Sequence, residues 1–80
     1  MNRGGKIVTP IRDCMEDDTI DGVIFRCDDA TRAERVRVMV IIAKHRNDYD
    51  FKTHRDGDKL IIHKPEVDIY GDPTFIMTDV

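Results

Sequence analysis

The sequence predicts an α+β domain: a small antiparallel sheet of four to five strands, including a hairpin over residues 50–63, with one main helix near residues 31–47. Three observations carry this reading. Asp56-Gly57 is a preferred two-residue hairpin turn, and strand-like runs flank it on both sides. Thr31 and Glu34 have the form of a capping box, and Lys44, His45 and Arg46 fall where a helix C-terminus favours positive charge. Short apolar blocks, Val23-Ile24-Phe25 and Phe75-Ile76-Met77, lie between turn-forming residues, as strands do.

Taken in chain order, Lys6 to Ile11 alternates loosely and reads as a strand, which Pro10 confines to a sheet edge or cuts short. Residues 13–21 read as an acidic loop holding at most one helical turn. Gly22 to Cys27 is a short strand bounded by aspartates. In the 31–47 segment Ala33, Val36, Val40 and Ala43 share one helical face, whereas Val36, Val38, Val40 and Ile42 alternate as a strand would. The macrodipole-matched ends favour the helix, and an all-β meander or barrel is the alternative. As a helix the segment is apolar on too many sides for one contact, so it is expected to be covered on more than one.

With Asp56-Gly57 as the turn, Arg55 faces Asp58, His54 faces Lys59 and Phe51 faces Ile62. Alternation then points Phe51, Thr53, Leu60 and Ile62 inward and leaves Lys52, His54, Lys59, Ile61 and His63 on a solvated, basic face. After Pro65, Val67 to Tyr70 is read as extended, Gly71-Asp72-Pro73 breaks it, and Thr74 to Thr78 is the last strand. The expected core is Val23, Phe25, Val36, Val40, Ala43, Phe51, Leu60, Ile62 and Ile76.

Eighty residues make a single compact domain, 1–80, with a thin core. Charged residues are 36% of the chain, yet the apolar blocks are long enough to argue against disorder. The start of the chain lacks the apolar run of a signal peptide, and Val38 to Ala43 is far too short to span a membrane. A cytoplasmic location with Cys14 and Cys27 as reduced thiols is the expectation, with no membrane partner.

Charge is segregated. Residues 32–64 hold nine Lys/Arg against five acids, and the flanking segments are both net negative. Such a pattern bears on partners and not on fold. Few other signals point to chemistry. Gly4-Gly5-Lys6 lacks the second spaced glycine and the Ser/Thr of a phosphate loop. The expected register offsets His54 and His63 by four residues, roughly 13 Å, too far for one metal ion. The chain has no serine, and the acids around Cys14 are expected to raise its pKa and dull the thiol. Asp17-Asp18 and Asp28-Asp29 read as a solvated loop and a helix N-terminus. No catalytic residue, cofactor or metal is therefore expected, and the protein is expected not to be an enzyme.

What remains is binding. The expectation is a small non-enzymatic regulator or inhibitor that binds a protein partner through Lys52, His54, Lys59, His63 and Arg55, with a homodimer through a sheet edge as a further partner form. Compact chains of this kind are common among phage and mobile-element proteins, an association rather than a derivation. The alternative is nucleic-acid binding by the basic helix and hairpin. A net charge of −3 and a hairpin face without Phe, Tyr or Trp count against it.

Overall fold

The computed structural model describes residues 5–68 and 70–80, with side chains from Ile7 onward. Its elements run α1 (Gly5–Glu16), β1 (Gly22–Arg26), α2 (Ala30–Asn47), β2 (Lys52–Asp56), β3 (Lys59–His63) and β4 (Phe75–Asp79). The four strands form one sheet in the order β2-β3-β1-β4, and both helices pack on the same face of it. The α+β class is as the sequence predicts. Gly4 of the glycine pair at the start of the chain lies outside the described residues, and Gly5 and Lys6 open α1.

The first expectation to fail is the strand at 6–11. Ile7, Ile11 and Cys14 recur at helical spacing, and all three are buried. Pro10 is the sixth of the twelve residues of α1, so it removes one interior backbone hydrogen bond, and burial of the apolar face offsets that loss. The acidic stretch from Asp13 to Glu16 is the last turn of this helix and not a loop. The chain then turns on Asp17, whose side chain accepts from both the N–H and the hydroxyl of Thr19 (2.9 and 2.7 Å).

α2 starts one residue earlier than expected and is capped differently. Asp29, in extended conformation, accepts from the Arg32 N–H at 2.8 Å, so the cap is Asp29 and not Thr31. At the other end Asp48 adopts the left-handed conformation (φ 55°), and its N–H and that of Tyr49 both donate to the Lys44 carbonyl. Asp29→Ala leaves that first-turn donor without its side-chain acceptor and is expected to cost about 1 kcal/mol in a urea titration. A change below about 0.3 kcal/mol would show that the cap contributes nothing.

The core is one layer between sheet and helices. Val23 and Phe25 of β1 and Leu60 and Ile62 of β3 meet Ala33, Val36, Val40 and Ala43 of α2, with Phe51 just before β2, and all of these are buried. Ile7, Ile11 and Cys14 complete it from α1. Ile76, expected in the core, is half-buried at the β4 margin. The outer side of α2 is not covered among the described residues: Val38, Met39 and Ile42 are 46%, 37% and 49% exposed.

The sheet is mixed rather than antiparallel. β1 pairs antiparallel with β3 but parallel with β4. The cause lies in the connection 64–74. β3 ends and β4 begins beside Gly22, so the chain loops over that end of β1 and reverses direction on its other side. Asp21 pins the loop at both ends. Its carbonyl accepts from the Lys64 N–H (2.9 Å), its N–H donates to the Thr74 carbonyl (2.8 Å), and its carboxylate accepts from the Thr74 N–H (2.7 Å). Within that loop Val67 and Asp68 form no strand, and Ile69 lies outside the described residues.

Candidate functional site

The hairpin register differs from expectation by two residues. Asp56 pairs with Lys59, and the two-residue loop is Gly57-Asp58 instead of Asp56-Gly57. Gly57 carries a positive φ of 61° at the first loop position, where a type II′ turn places glycine. A shift of two keeps every side chain on its predicted face, because the strand period is two. It changes which residues are neighbours.

The sheet face away from the helices is a grid of three rows across four strands. The registers place Lys52, His63, Gly22 and Phe75 in one row, and His54, Ile61, Ile24 and Met77 in the next. Asp56, Lys59, Arg26 and Asp79 form the third. Four of the five predicted binding residues, Lys52, His54, Lys59 and His63, therefore share one surface. Arg55 does not join them. It lies on the helix side, where its guanidinium reaches Glu34 of α2 at 3.3 Å.

The surface is less basic and more apolar than the hairpin alone implied. Its three cations stand against Asp56 and Asp79, and Arg26 is bound to Asp79 at 2.7 Å. Lys52 and Lys59 enter none of the ion pairs among the described residues. Ile24 and Ile61 are half-buried at the centre, Phe75 is half-buried and Met77 is 53% exposed. Sequence reasoning missed Ile24, Phe75 and Met77 because they belong to this face only once β1 and β4 are placed beside the hairpin. Alternation within 22–26 and 75–79 was the available signal.

His63 is the buried exception at 5% exposure, where a solvated side chain was expected. Gly22, its partner across the ladder, has no side chain, and the Phe75 ring lies over that glycine. The Nδ1 of His63 lies 2.8 Å from the Lys64 carbonyl, which can only accept, so Nδ1 carries the proton and donates. Its Nε2 lies 2.9 Å from the Nε2 of His54. The ring centroids are 5.0 Å apart with planes 5° from parallel. That separation is close to the contact plus one ring radius at each end, so the rings meet edge to edge. One proton is shared between them, given by His54 and accepted by His63. The expected separation of roughly 13 Å is overturned by the register, since His54 and His63 are diagonal neighbours.

The remaining predicted chemistry is dispersed. Cys14 and Cys27 are both free thiols. Burial is the leading cause that pushes each thiol up; Asp21 and Asp17 add to it at Cys14, and Lys64 opposes. The acids near Cys14 thus act in the expected direction but are not the main cause. The helix cations lie in the layer behind the sheet, opposite Lys52 and Lys59, so the positive segment does not form one patch. Glu34 takes up one of those cations, Arg37 at 2.6 Å, together with Arg55 of β2 at 3.3 Å.

The hydrogen bonds from Arg37 hold the Glu34 carboxyl below its ordinary range, slight burial opposes this, and the charges of Arg37 and Arg55 reinforce it. A depressed carboxyl contributes stability above its unfolded value, about 4.3, and that contribution disappears as pH falls through the lower folded value. Glu34→Gln is therefore expected to lie below the parent in urea midpoint at neutral pH and to converge with it in acid. A constant offset across that range would show that the ion pairs do not drive the shift.

No protein-family model, no curated protein and no solved structure matches this chain.

Proposed function

We propose that this protein is a non-enzymatic binding module, a regulator or inhibitor that docks a protein partner on the uncovered sheet face. One observation carries the reading: Ile24, Ile61, Phe75 and Met77 line up beside Lys52 and Lys59 on a sheet face that neither helix covers. A flat apolar centre with a charged margin is the composition of a protein interface. Lys52 and Lys59 select for a partner that presents acidic side chains around an apolar patch. A sheet edge offers a second copy of the chain a seam as well. β2 is guarded by charge along Lys52–Asp56, so β4, with Phe75, Ile76 and Met77, is the more inviting edge.

Nucleic acid is the competing occupant. Phe75 adds to this face the aromatic that the hairpin lacks, and single-stranded nucleic acids stack on such rings. Three cations against two carboxylates, one pair already closed, make a weak electrostatic platform for phosphates.

Affinity capture from the native host, followed by binding measurements with the captured protein, tests the proposal. Lys52→Glu with Lys59→Glu, and separately Met77→Glu, are expected to weaken binding at least about tenfold, with folding retained. Loss on Ile42→Lys alone, at the outer face of α2, would move the site to the helix and overturn the assignment. Salt-sensitive, submicromolar binding of a single-stranded oligonucleotide, lost in the double lysine variant, would replace the protein partner with nucleic acid.

A further inference from the structure

We propose that the outer edge of β4 takes up an extended, lysine- or arginine-bearing segment of a protein partner as a fifth strand of the sheet. β4 pairs with β1 alone and ends the strand order β2-β3-β1-β4. At its two ends the Thr74 carbonyl and the Val80 N–H are bonded to Asp21 and Arg26, on the β1 side. Backbone groups alternate in direction along a strand, so those of Phe75, Met77 and Asp79 point the other way, out of the sheet. Their N–H and C=O groups have no partner among the described residues. Such an edge is a template for another strand, and natural sheets guard it with charge, proline or a bulge. Phe75 to Thr78 carry none of these, and the one charge of β4, Asp79, is engaged by Arg26.

The surroundings of the edge set the charge of the incoming strand. α1 packs over β1 and β4, and where it ends a groove opens on the helix side of β4. Asp13, Glu16, Asp17 and Asp18 line it with Ile20 and Ile76, and no cation is among the lining residues. Hydrogen bonds from the Thr19 hydroxyl and N–H hold the Asp17 carboxyl below its ordinary range. Lys64 is the nearby counter-charge, with its Nζ donating to the Asp17 carbonyl at 2.9 Å. Four carboxylates against that one ammonium favour a cationic strand.

A strand added here presents alternate side chains to the two faces of the sheet. Those on the helix side come beside Ile76, Thr78 and the carboxylates, where Lys or Arg is favoured. Those on the other face come beside Phe75, half-buried, and Met77, 53% exposed, where an apolar residue covers ring and thioether. The recognised pattern is therefore cation and apolar residue in alternation. Main-chain bonds supply the affinity and the alternation supplies the specificity. A second copy of the chain is disfavoured at this edge. Antiparallel pairing of β4 with its own copy keeps the helices of both on one face and brings the two acidic grooves together.

A short peptide probes the edge apart from the partner of the sheet face, so failure at one does not carry over to the other. The probe is Lys-Val-Lys-Val-Lys-Val-Lys with blocked ends, titrated into the full chain by calorimetry and followed by amide chemical shifts. One peptide per chain is expected, with shifts concentrated at Phe75, Met77 and Asp79. Glutamate in place of lysine in the peptide is expected to weaken binding at least about tenfold. Asp13→Asn with Asp18→Asn is expected to weaken binding of the lysine peptide at least about threefold. Asp56→Asn, on the opposite edge strand, is expected to leave it unchanged. N-methylation locates the hydrogen bonds. In antiparallel pairing, the more stable arrangement, methyl groups on the valine amides are expected to abolish binding and those on the lysine amides to leave it intact. The reverse result would support the same edge with the peptide parallel. Met77→Pro removes an outward donor without touching the β1 ladder, and is expected to lose the peptide while keeping its circular dichroism. A Kd above about 1 mM for the parent chain, equal binding of the lysine and glutamate peptides, or equal effects of the two methylation sets would each overturn the site. So would a dimer in sedimentation that Met77→Pro dissolves, since a second copy would then hold the edge.

Discussion

Gly22→Ala is expected to be the most damaging small substitution in this protein. A Cβ placed on Gly22 would overlap both the Ile62 carbonyl oxygen and the Phe75 ring. Ring atoms can turn aside, but the carbonyl belongs to the β1–β3 ladder and cannot move without opening it. Relief requires β1 to separate from β3, or β4 to shift with Phe75. Overpacking usually costs about 1–3 kcal/mol, and a clash with backbone belongs at or above the upper end. An 80-residue domain has roughly 4–12 kcal/mol in total, so a large share of its stability is at stake.

Gly57→Ala supplies the control. Nothing lies within 4 Å of a Cβ there, and only the positive φ of 61° opposes it, so a loss of about 1 kcal/mol is expected. Urea unfolding followed by circular dichroism reads both, as the chain has no tryptophan. A Gly22→Ala protein as stable as Gly57→Ala would mean that Phe75 and Ile62 do not close over the glycine.

Ile11→Ala is expected to cost about 2–5 kcal/mol, the range for removing most of a fully buried aliphatic side chain. Ile11 is completely buried with Ile7 and Cys14, on a helix that leans on α2, β1 and β4. The loss should appear locally as well as globally. If α1 loosens first, amide protection falls across residues 7–16 before the sheet is affected, and the urea slope decreases because less surface is left to expose. Thr9→Ala, exposed on the same helix, is expected to stay within about 0.5 kcal/mol of the parent. Matching effects at positions 9 and 11 would show that α1 does not dock as described.

α1 is also the clearest case of a signal present and misread. Ile7, Ile11 and Cys14 have helical spacing, but the loose alternation from Lys6 to Ile11 also reads as a strand that Pro10 confines to an edge or cuts short. Twelve residues with a proline form a poor helix alone, and burial against the sheet is what makes this one form. α2 was legible because its propensity, end charges and apolar face agree. Even there the cap fell on Asp29 rather than Thr31, since both residues are good caps and one turn of context does not separate them.

The hairpin was legible in faces but not in register. Asp56-Gly57 and Gly57-Asp58 are both acceptable loops, and the choice between them preserves the inward set Phe51, Leu60 and Ile62. Hydrophobic pattern therefore gave no means to choose. The consequence for the site is large: one register separates the histidines, and the other brings their Nε2 atoms to 2.9 Å.

By itself the sequence determined the class, the α2 span, the face of each hairpin residue and most of the core. These follow from period and local propensity, which act within a dozen residues. Only the tertiary structure decided that β4 lies parallel beside β1, that Phe75 and Met77 join Lys52 and Lys59, and that Arg55 turns away to Glu34. Those outcomes depend on how the 64–74 connection passes over the end of β1, anchored by Asp21. Pairing between distant strands is set by loop closure and by contacts that no short stretch of the chain contains.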